Sequence, residues 1–108
     1  MRKLHHPNAD EIELTNVLYA LGDPVRLKIV YNLSITSTRA THSPSCKNVC
    51  SELKLSKSTL SHHFRILREA GVISCEKDGT QYVNRLRLRE LNLLFPGLLR
   101  SILRTKLK

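Results

Sequence analysis

The fold is decided by the stretch SKSTLSHHFRILREAGVI, residues 56–73. Its Leu60, Phe64 and Leu67 recur at helical spacing and form a single apolar stripe. The spacing predicts an amphipathic helix over residues 57–70, whose stripe packs against a core while the opposite face stays in solvent.

Capping signals mark both ends of this predicted helix. Ser56, at the end of the tight turn Leu55–Ser56, carries a hydroxyl that can cap the first helical turn. Gly71 tolerates the left-handed conformation that commonly ends a helix. A short helix is predicted just before the turn, over residues 46–54. The segment therefore reads as two helices joined by a tight turn.

The polar face of the longer helix is suited to contact DNA. A helix that enters the major groove needs short hydrogen-bonding and basic side chains, so that its backbone can approach the base edges. The candidates for DNA contact on this face are Lys57, Ser58, Thr59, Ser61, His62, Arg65 and Arg68. His63 lies nearer the apolar stripe, where a buried or backbone-bonded histidine is expected. The alternative is that this face is simply the solvated side of the helix.

Two runs with strand character follow the helix and predict a β-hairpin, or wing. Residues 72–77 and 80–86 flank the dipeptide Asp78–Gly79, which is a strong hairpin signal. Side chains at the tip of the wing can lie along the adjacent minor groove or the DNA backbone, although a purely structural hairpin explains them as well. The wing candidates for DNA contact are Lys77, Thr80 and Gln81.

Further helices are predicted on both sides of this region. Residues 9–21 have helical spacing, and Asp23–Pro24 opens a second helix as an N-cap followed by proline. A polar Ser/Thr-rich loop is expected at residues 34–45, and a last helix over residues 89–107 with a break at Pro96–Gly97. The predicted fold is a winged helix-turn-helix, mostly α with a β-hairpin wing, in the order α-α-α-α-β-β-α.

Length and charge agree with a single DNA-binding domain spanning residues 1–108. The formal net charge is +9, and it is unevenly placed. Residues 1–46 hold five basic and four acidic side chains, whereas residues 47–108 hold thirteen basic and five acidic ones. The strongly basic second half of the chain indicates a polyanionic partner. Duplex DNA is favoured over single strands, because the sequence has no Trp, three Tyr and two Phe with which to stack bases.

Other classes of protein are disfavoured by what the sequence lacks. No apolar run approaches the length of a membrane span, and no apolar stretch follows the basic N-terminus, so we expect a cytoplasmic protein with no membrane partner. His5 and His6 are expected in a solvated tail. No acid is paired with a base and there is no glycine-rich phosphate loop, so we expect no enzyme and no required cofactor.

Two stretches resemble the ArsR/SmtB family of transcriptional repressors. LYALGDPVRLKI, residues 18–29, looks like the "L..L.D..R..I" opening of that family. Residues 56–73 are similar to the family's recognition helix and its exit into the wing, and the whole resemblance covers about residues 12–88. It implies a homodimer, built by the first and last helices, that sits on an operator and leaves it when an inducer binds.

The cysteines depart from the family's pattern. The resemblance implies a Cys-x-Cys metal site in the short helix, where this sequence has Val49 and Ser51. Cys46 and Cys50 are instead four residues apart, and two thiolates at that spacing suit a soft metal or trivalent arsenic. A redox-switching disulfide and an inert structural role also remain open. The candidate ligands or redox groups are Cys46, Cys50, Cys75 and, as a further ligand, His42.

A second kind of metal site is excluded by the supply of ligands. The family's other site lies in the last helix and needs Asp and His pairs, but residues 89–108 contain no His, Cys or Asp. Zinc, cobalt and nickel therefore have no such site here. Cys75 alternates with Ser74 along a predicted strand, and we expect it to belong to the core.

The sequence thus predicts a dimeric, sequence-specific DNA-binding regulator that acts as a repressor on a double-stranded operator. The alternative is a winged-helix module for protein contact or non-specific nucleoprotein packing, without an inducer. A dimer predicts an operator with dyad symmetry, and the alternative predicts equal affinity for scrambled DNA.

Overall fold

The computed structural model of the chain describes residues 5–39, 55–79 and 81–105. A turn of 3-10 helix, Ala9–Glu11, precedes the helices α1 (Leu14–Leu21), α2 (Pro24–Arg39) and α3 (Lys57–Glu69). The antiparallel strands β1 (Ile73–Asp78) and β2 (Gln81–Leu86) follow, and then the helices α4 (Leu88–Leu94) and α5 (Leu98–Arg104). This order confirms the predicted winged helix-turn-helix. The short helix predicted over residues 46–54 lies outside the described residues.

The first helix begins later than the sequence pattern predicts. In place of one helix over residues 9–21, the 3-10 turn is followed by two extended residues, Ile12 and Glu13, and only then by α1. The interruption turns the Ile12 side chain into the core, where it packs against Gly71. Burying an isoleucine stabilises a fold by about 1.5–3 kcal/mol, which offsets the lost helical turn.

The second helix starts where the sequence predicts. Pro24 occupies its first position, and Asp23 Oδ2 accepts hydrogen bonds from the backbone N–H groups of Val25 (2.9 Å) and Arg26 (3.1 Å). These bonds satisfy two of the N–H groups that every helix N-terminus leaves without an intrahelical partner. The Asp-Pro signal is therefore confirmed.

The same helix ends later than expected. The predicted loop over residues 34–45 is wrong for residues 34–39, which continue α2, while residues 40–45 lie outside the described residues. Ser34 shows why a polar run can stay helical, because its hydroxyl donates to the carbonyl oxygen of Tyr31 (2.6 Å) within the helix. Serine and threonine each cost less than about 0.7 kcal/mol relative to alanine in a helix.

The third helix confirms both the predicted stripe and the predicted end. At its C-terminus, Gly71 has φ +88°, and its N–H donates to the carbonyl oxygen of Arg68 (3.0 Å). The N–H of Val72 donates to the carbonyl oxygen of Leu67 (3.0 Å), which completes the Schellman pattern of a left-handed helix end. The buried side chains of α3 are Leu60, Phe64 and Leu67.

The wing is a two-stranded hairpin whose base belongs to the core. The register places Ile73 opposite Leu86 and Asp78 opposite Gln81, so the chain reverses between the last two, with Gly79 at φ +65°. Ile73 and Leu86 are buried, which fixes the base of the hairpin. The predicted break at Pro96–Gly97 is also confirmed, because α4 ends at Leu94 and α5 begins at Leu98.

One hydrophobic core holds the helices and the wing together. α3 contacts α1, α2 and β1, and α2 contacts β2. The position of α3 relative to the first two helices is therefore set by shared packing. The largest fully buried side chains are Val17, Ile29, Val30, Leu33, Leu60, Leu67, Val72, Ile73, Leu91 and Leu99. Over the described parts of the chain, no helix has the length and apolarity that crossing a bilayer requires.

Candidate nucleic-acid interface

The N-terminus of α3 is built by a serine cap. The Oγ atom of Ser56 accepts a hydrogen bond from the backbone N–H of Thr59 (3.2 Å) and donates to the Thr59 hydroxyl (2.8 Å). The Ser58 hydroxyl lies 3.4 Å from the same oxygen. The predicted N-cap is confirmed, and three hydroxyl groups gather at the start of the helix.

The face of α3 opposite the buried stripe is polar, basic and exposed. The Nη2 atom of Arg65 lies 3.2 Å from Nδ1 of His62, one helical turn earlier, so these two side chains stand together in solvent. The acid of this helix, Glu69, is its last residue. The exposed members of the predicted set are Lys57, Ser58, Thr59, Ser61, His62 and Arg65.

His63 is turned away from this face, toward the junction of α1 and α2. Its side chain is 14% exposed, and its Nδ1 lies 3.3 Å from Nη1 of Arg26 and 4.0 Å from Oδ2 of Asp23. Because a guanidinium group only donates, Nδ1 of His63 can accept from Arg26 only in the tautomer that carries the ring proton on Nε2. The predicted packed position is confirmed, with a side-chain partner instead of a backbone one.

Arg26 joins three helices through a single buried side chain. Its Nε donates to the carbonyl oxygen of Ala20 (2.7 Å) and its Nη2 to that of Tyr19 (3.2 Å), while Nη1 contacts His63. The guanidinium carbon also lies 5.2 Å from the centroid of the Tyr19 ring, within the range of a cation–π contact. Arg26 thus holds α3 in a fixed orientation relative to the C-terminal end of α1.

Asp23 completes this polar cluster as an ionised carboxylate. Partial burial, the largest single influence, acts to raise its pKa. The backbone hydrogen bonds from Arg26 and Val25, together with the charges of Arg26 and His63, outweigh burial and hold the pKa of Asp23 below its ordinary value of 3.8. The carboxylate therefore stays charged at neutral pH beside the Arg26 guanidinium.

The wing contributes further basic and polar side chains. Lys77 is exposed near the tip, and Gln81 opens β2 opposite Asp78, whereas Thr80 lies outside the described residues. Sequence reasoning missed Arg85, which is exposed near the C-terminal end of β2. The alternation of the strand is the signal that could have found it, since both neighbours of Arg85 in β2 are buried.

Arg68 stands apart from the other predicted contacts on α3. It is half-buried near the C-terminal end of the helix, and its Nε donates to the carbonyl oxygen of His5 (3.2 Å). Its role in DNA contact stays a prediction, and in the structure it holds the N-terminal segment, residues 5–8.

The expectation of a solvated tail holds for the exposed side chain of His5 but is wrong for His6. Nε2 of His6 accepts a hydrogen bond from the backbone N–H of Cys75 in β1 (2.9 Å). Pro7 is buried, and its carbonyl oxygen accepts from Nη1 of Arg87 (2.7 Å). The exposed edge of β1 presents an N–H group that needs a partner, and the N-terminal segment supplies one.

Comparison with known proteins identifies the family. Residues 23–74 match the family described as "Bacterial regulatory protein, arsR family". The HTH-type transcriptional regulator YceK of Bacillus subtilis is 33% identical over 95 residues, which cover 87% of this chain and 90% of YceK. The chain belongs to the ArsR family.

Two further similarities agree with this assignment. An HTH-type transcriptional regulator of Methanocaldococcus jannaschii is 35% identical to this ArsR-family chain over 78 residues, which cover 69% of this chain and 82% of that protein. The crystal structure of an ArsR family transcriptional regulator superposes with a TM-score of 0.64 at 18% identity, and covers 82% of this chain and 90% of that one. The latter similarity confirms the fold. The protein is a helix-turn-helix DNA-binding transcriptional regulator and not an enzyme.

Only one of the three cysteines of this ArsR-family regulator can be placed. Cys46, Cys50 and His42 lie outside the described residues, and the described residues contain no group of three potential metal ligands. Cys75 is a half-buried free thiol in β1. Burial raises the pKa of the Cys75 thiol, and the nearby charge of Arg68 only partly opposes that effect. A neutral thiol is a poor nucleophile and metal ligand. The expected core position is wrong, because the side chain is only half-buried and is not among the residues of the hydrophobic core.

Proposed function

We propose that this ArsR-family regulator is a homodimeric repressor that binds an operator through α3 and the wing and is released by an inducer. The observation that supports it best is the exposed face of α3, where six hydrogen-bonding or cationic side chains stand without an acid before Glu69. A face of this composition matches the acceptor-rich edges of bases and the charge of phosphates.

The roles of the side chains on α3 follow from their chemistry and position. Arg65 is the best candidate to read guanine, because a guanidinium group can donate to both O6 and N7. His62 holds the Arg65 side chain at 3.2 Å and so orders it before DNA is bound. Ser61 is short enough to let the helix backbone approach a base edge. Lys57, at the start of the helix, suits a phosphate contact.

The wing and the start of α3 complete the proposed interface. Lys77 is exposed near the tip of the wing, and we expect it, Thr80 and Gln81 to follow the DNA backbone or the minor groove beside α3. The Thr59 hydroxyl already accepts a hydrogen bond from Ser56 in the helix cap, so we expect it to contribute less to base contacts than its neighbours on α3.

A homodimer is supported by apolar side chains on the first and fourth helices. Large exposed apolar groups of this kind mark interaction surfaces when they occur together. A second copy of the chain would cover them and bring two α3 helices to two half-sites, about 34–36 Å apart or a multiple of it. The exposed side chains are Leu14 (44%), Leu18 (47%), Tyr19 (66%), Leu93 (76%) and Leu94 (38%).

The proposed inducer chemistry rests on Cys46 and Cys50, whose spacing suits either oxidation to a disulfide or a soft metal or metalloid. The raised pKa of the Cys75 thiol argues against it as a third ligand. The regulator would act in the cytoplasm, with the DNA that it binds.

Substitutions of two exposed arginines test the proposed interface. Arg65→Ala should weaken binding to the operator by about 5- to 100-fold, the range for one lost bidentate base contact. Arg100→Ala, which removes another exposed arginine, from α5, should leave the affinity within about twofold of the wild type because it lies outside the interface. Fluorescence anisotropy with labelled duplex at fixed salt measures both.

Two further readouts separate the proposal from its alternative. A hydroxyl-radical footprint of a dimer should show dyad-related protected segments. Equal losses for the two arginine variants, or the same loss on scrambled DNA, would instead indicate non-specific packing of a basic domain. A monomer in analytical ultracentrifugation at concentrations that saturate the DNA would refute the homodimer.

A further inference from the structure

The N-terminal segment connects elements that are far apart in the sequence. Its backbone and its one inward-facing imidazole receive hydrogen bonds from α3, from β1 and from Arg87, the residue that precedes α4. The middle one of these bonds, from Cys75 to His6, is the contact to the edge of the wing (2.9 Å). The segment therefore bridges the recognition helix and the wing, the two parts of the proposed DNA interface.

We propose that His6 is a positioning residue for DNA binding, whose neutral imidazole fixes the wing to the recognition helix and whose protonation releases it. This inference rests on the proposed function, since it concerns how the DNA-binding surface is held together. It predicts that operator affinity falls at acidic pH because the N-terminal segment loses its contact with the wing.

The hydrogen bond itself imposes the protonation state of His6. A backbone N–H can only donate, so Nε2 of His6 must carry a free lone pair, and the single ring proton lies on Nδ1. A protonated imidazole has two N–H groups and no acceptor. The N–H of Cys75 would then face another N–H, and this bond to the wing would be lost.

The surroundings of His6 make its protonation disruptive. The ring lines a groove of about 490 Å³ that also receives side chains from both strands of the wing and from the start of α4, so solvent reaches it. Arginines outnumber carboxylates there, and one of them, Arg87, also donates to the backbone of the segment. An added positive charge would repel them. The charged and titratable groups around His6 are His5, Arg68, Cys75, Glu76, Arg85, Arg87, Arg89 and Glu90.

The consequence for DNA binding follows from the position of β1. Its edge is held at Cys75, and Lys77, two residues further on, is the proposed wing contact. When the N-terminal segment leaves, the wing keeps its buried base but loses one of its links to α3. DNA binding would then have to fix the placement of the wing, which weakens the observed affinity.

The test compares three substitutions in the full-length protein. His6→Gln places an acceptor close to the position of Nε2 and does not titrate, so it should preserve the contact at every pH. His6→Leu removes the acceptor at every pH. His5→Gln is the matched control, because His5 contributes only its backbone carbonyl to the contact and its side chain is exposed. Circular dichroism first establishes that each variant is folded at both pH values.

Operator affinity is measured by fluorescence anisotropy at about pH 8 and about pH 5.5, on either side of the usual range of histidine titration. At the higher pH, the wild type, His6→Gln and His5→Gln should bind alike, and His6→Leu should bind about fivefold more weakly, a factor typical of one hydrogen bond. At the lower pH, the wild type and His5→Gln should bind the operator more weakly than His6→Gln by a similar factor. The wild type and His6→Gln share every other histidine. The ratio of their affinities at the lower pH therefore reports on His6 alone.

Hydrogen exchange at the Cys75 amide, measured by NMR without DNA, gives a readout independent of the operator. Its protection factor should drop at the lower pH in the wild type and stay constant in His6→Gln. An identical pH profile for the wild type and His6→Gln, or wild-type affinity in His6→Leu, would overturn the role of His6. If the wild type binds no duplex at either pH, the proposed function fails instead, and the Cys75 protection factors still decide whether His6 holds the wing.

Discussion

Replacement of Arg26 by alanine should remove the link between the first two helices and the recognition helix. The carbonyl oxygen of Tyr19 keeps a second donor, the N–H of Gly22 (3.2 Å), but that of the fully buried Ala20 loses its partner at 2.7 Å. An unsatisfied buried acceptor costs about 1–3 kcal/mol, and loss of the buried aliphatic stem adds to it. We expect Arg26→Ala to lower the free energy of unfolding by about 2–4 kcal/mol.

Urea unfolding followed by circular dichroism measures this loss. Arg26→Met separates the two contributions, because it keeps most of the stem and removes the hydrogen bonds, so its loss should be about 1–3 kcal/mol. Lys28→Ala is the control on the same helix; its side chain is exposed, and we expect a change within about 0.5 kcal/mol. A stability of Arg26→Met equal to that of the wild type would show that the hydrogen bonds of Arg26 contribute nothing to the fold.

Two further predictions concern the backbone at the end of α3 and the cap of α2. Gly71→Ala should lower the melting temperature more than Gly97→Ala. Both glycines have positive φ, but only at Gly71 would a Cβ lie 2.5 Å from Cγ1 of Ile12. Equal shifts of the two melting temperatures in thermal unfolding would contradict this prediction. Because folding lowers the pKa of Asp23, its stabilisation is fully present above the unfolded value near 3.8 and is lost as pH falls through the folded value. The difference in unfolding free energy between the wild type and Asp23→Asn should therefore shrink as pH falls below about 4, and a constant difference would count against the carboxylate's role.

The recognition helix could be predicted because every signal for it is local. Leu60 and Phe64 reveal its period, Ser56 its start and Gly71 its end, and all of these lie within one stretch of chain. Short-range backbone preferences and one buried stripe therefore suffice to place α3. The Asp78–Gly79 reversal of the wing is local in the same way.

The errors arose where contacts between distant residues decided the structure. Ile12 leaves the helical pattern because it packs against Gly71, and no residue near Ile12 in the sequence indicates that contact. His6 is held by Cys75, 69 residues away, so a histidine pair near the terminus reads as a solvated tail. The continuation of α2 past Ser34 has a different cause, since polar residues without glycine or proline are compatible with a helix and only their composition suggested a loop.

The candidate site shows the same division. The exposed basic face of α3 follows from its amphipathic pattern, whereas the buried cluster of Arg26, Asp23 and His63 joins two regions 37 residues apart. Sequence periodicity placed His63 on the packed side but gave no partner for it. The contact to Arg26 depends on how α3 crosses the α1–α2 junction, which is a property of the packed core.

The proposed function requires sequence-specific binding to DNA, which a comparison of two duplexes measures. Anisotropy of a labelled duplex from upstream of the regulator's own gene is compared with that of a scrambled duplex at the same salt, with thiols reduced. We predict a clear preference for the upstream duplex, with log affinity falling against log salt at a slope of about −5 if six phosphates are neutralised. Equal affinity for both duplexes, or no binding to either at low salt, would show that the protein is not a sequence-specific DNA-binding regulator.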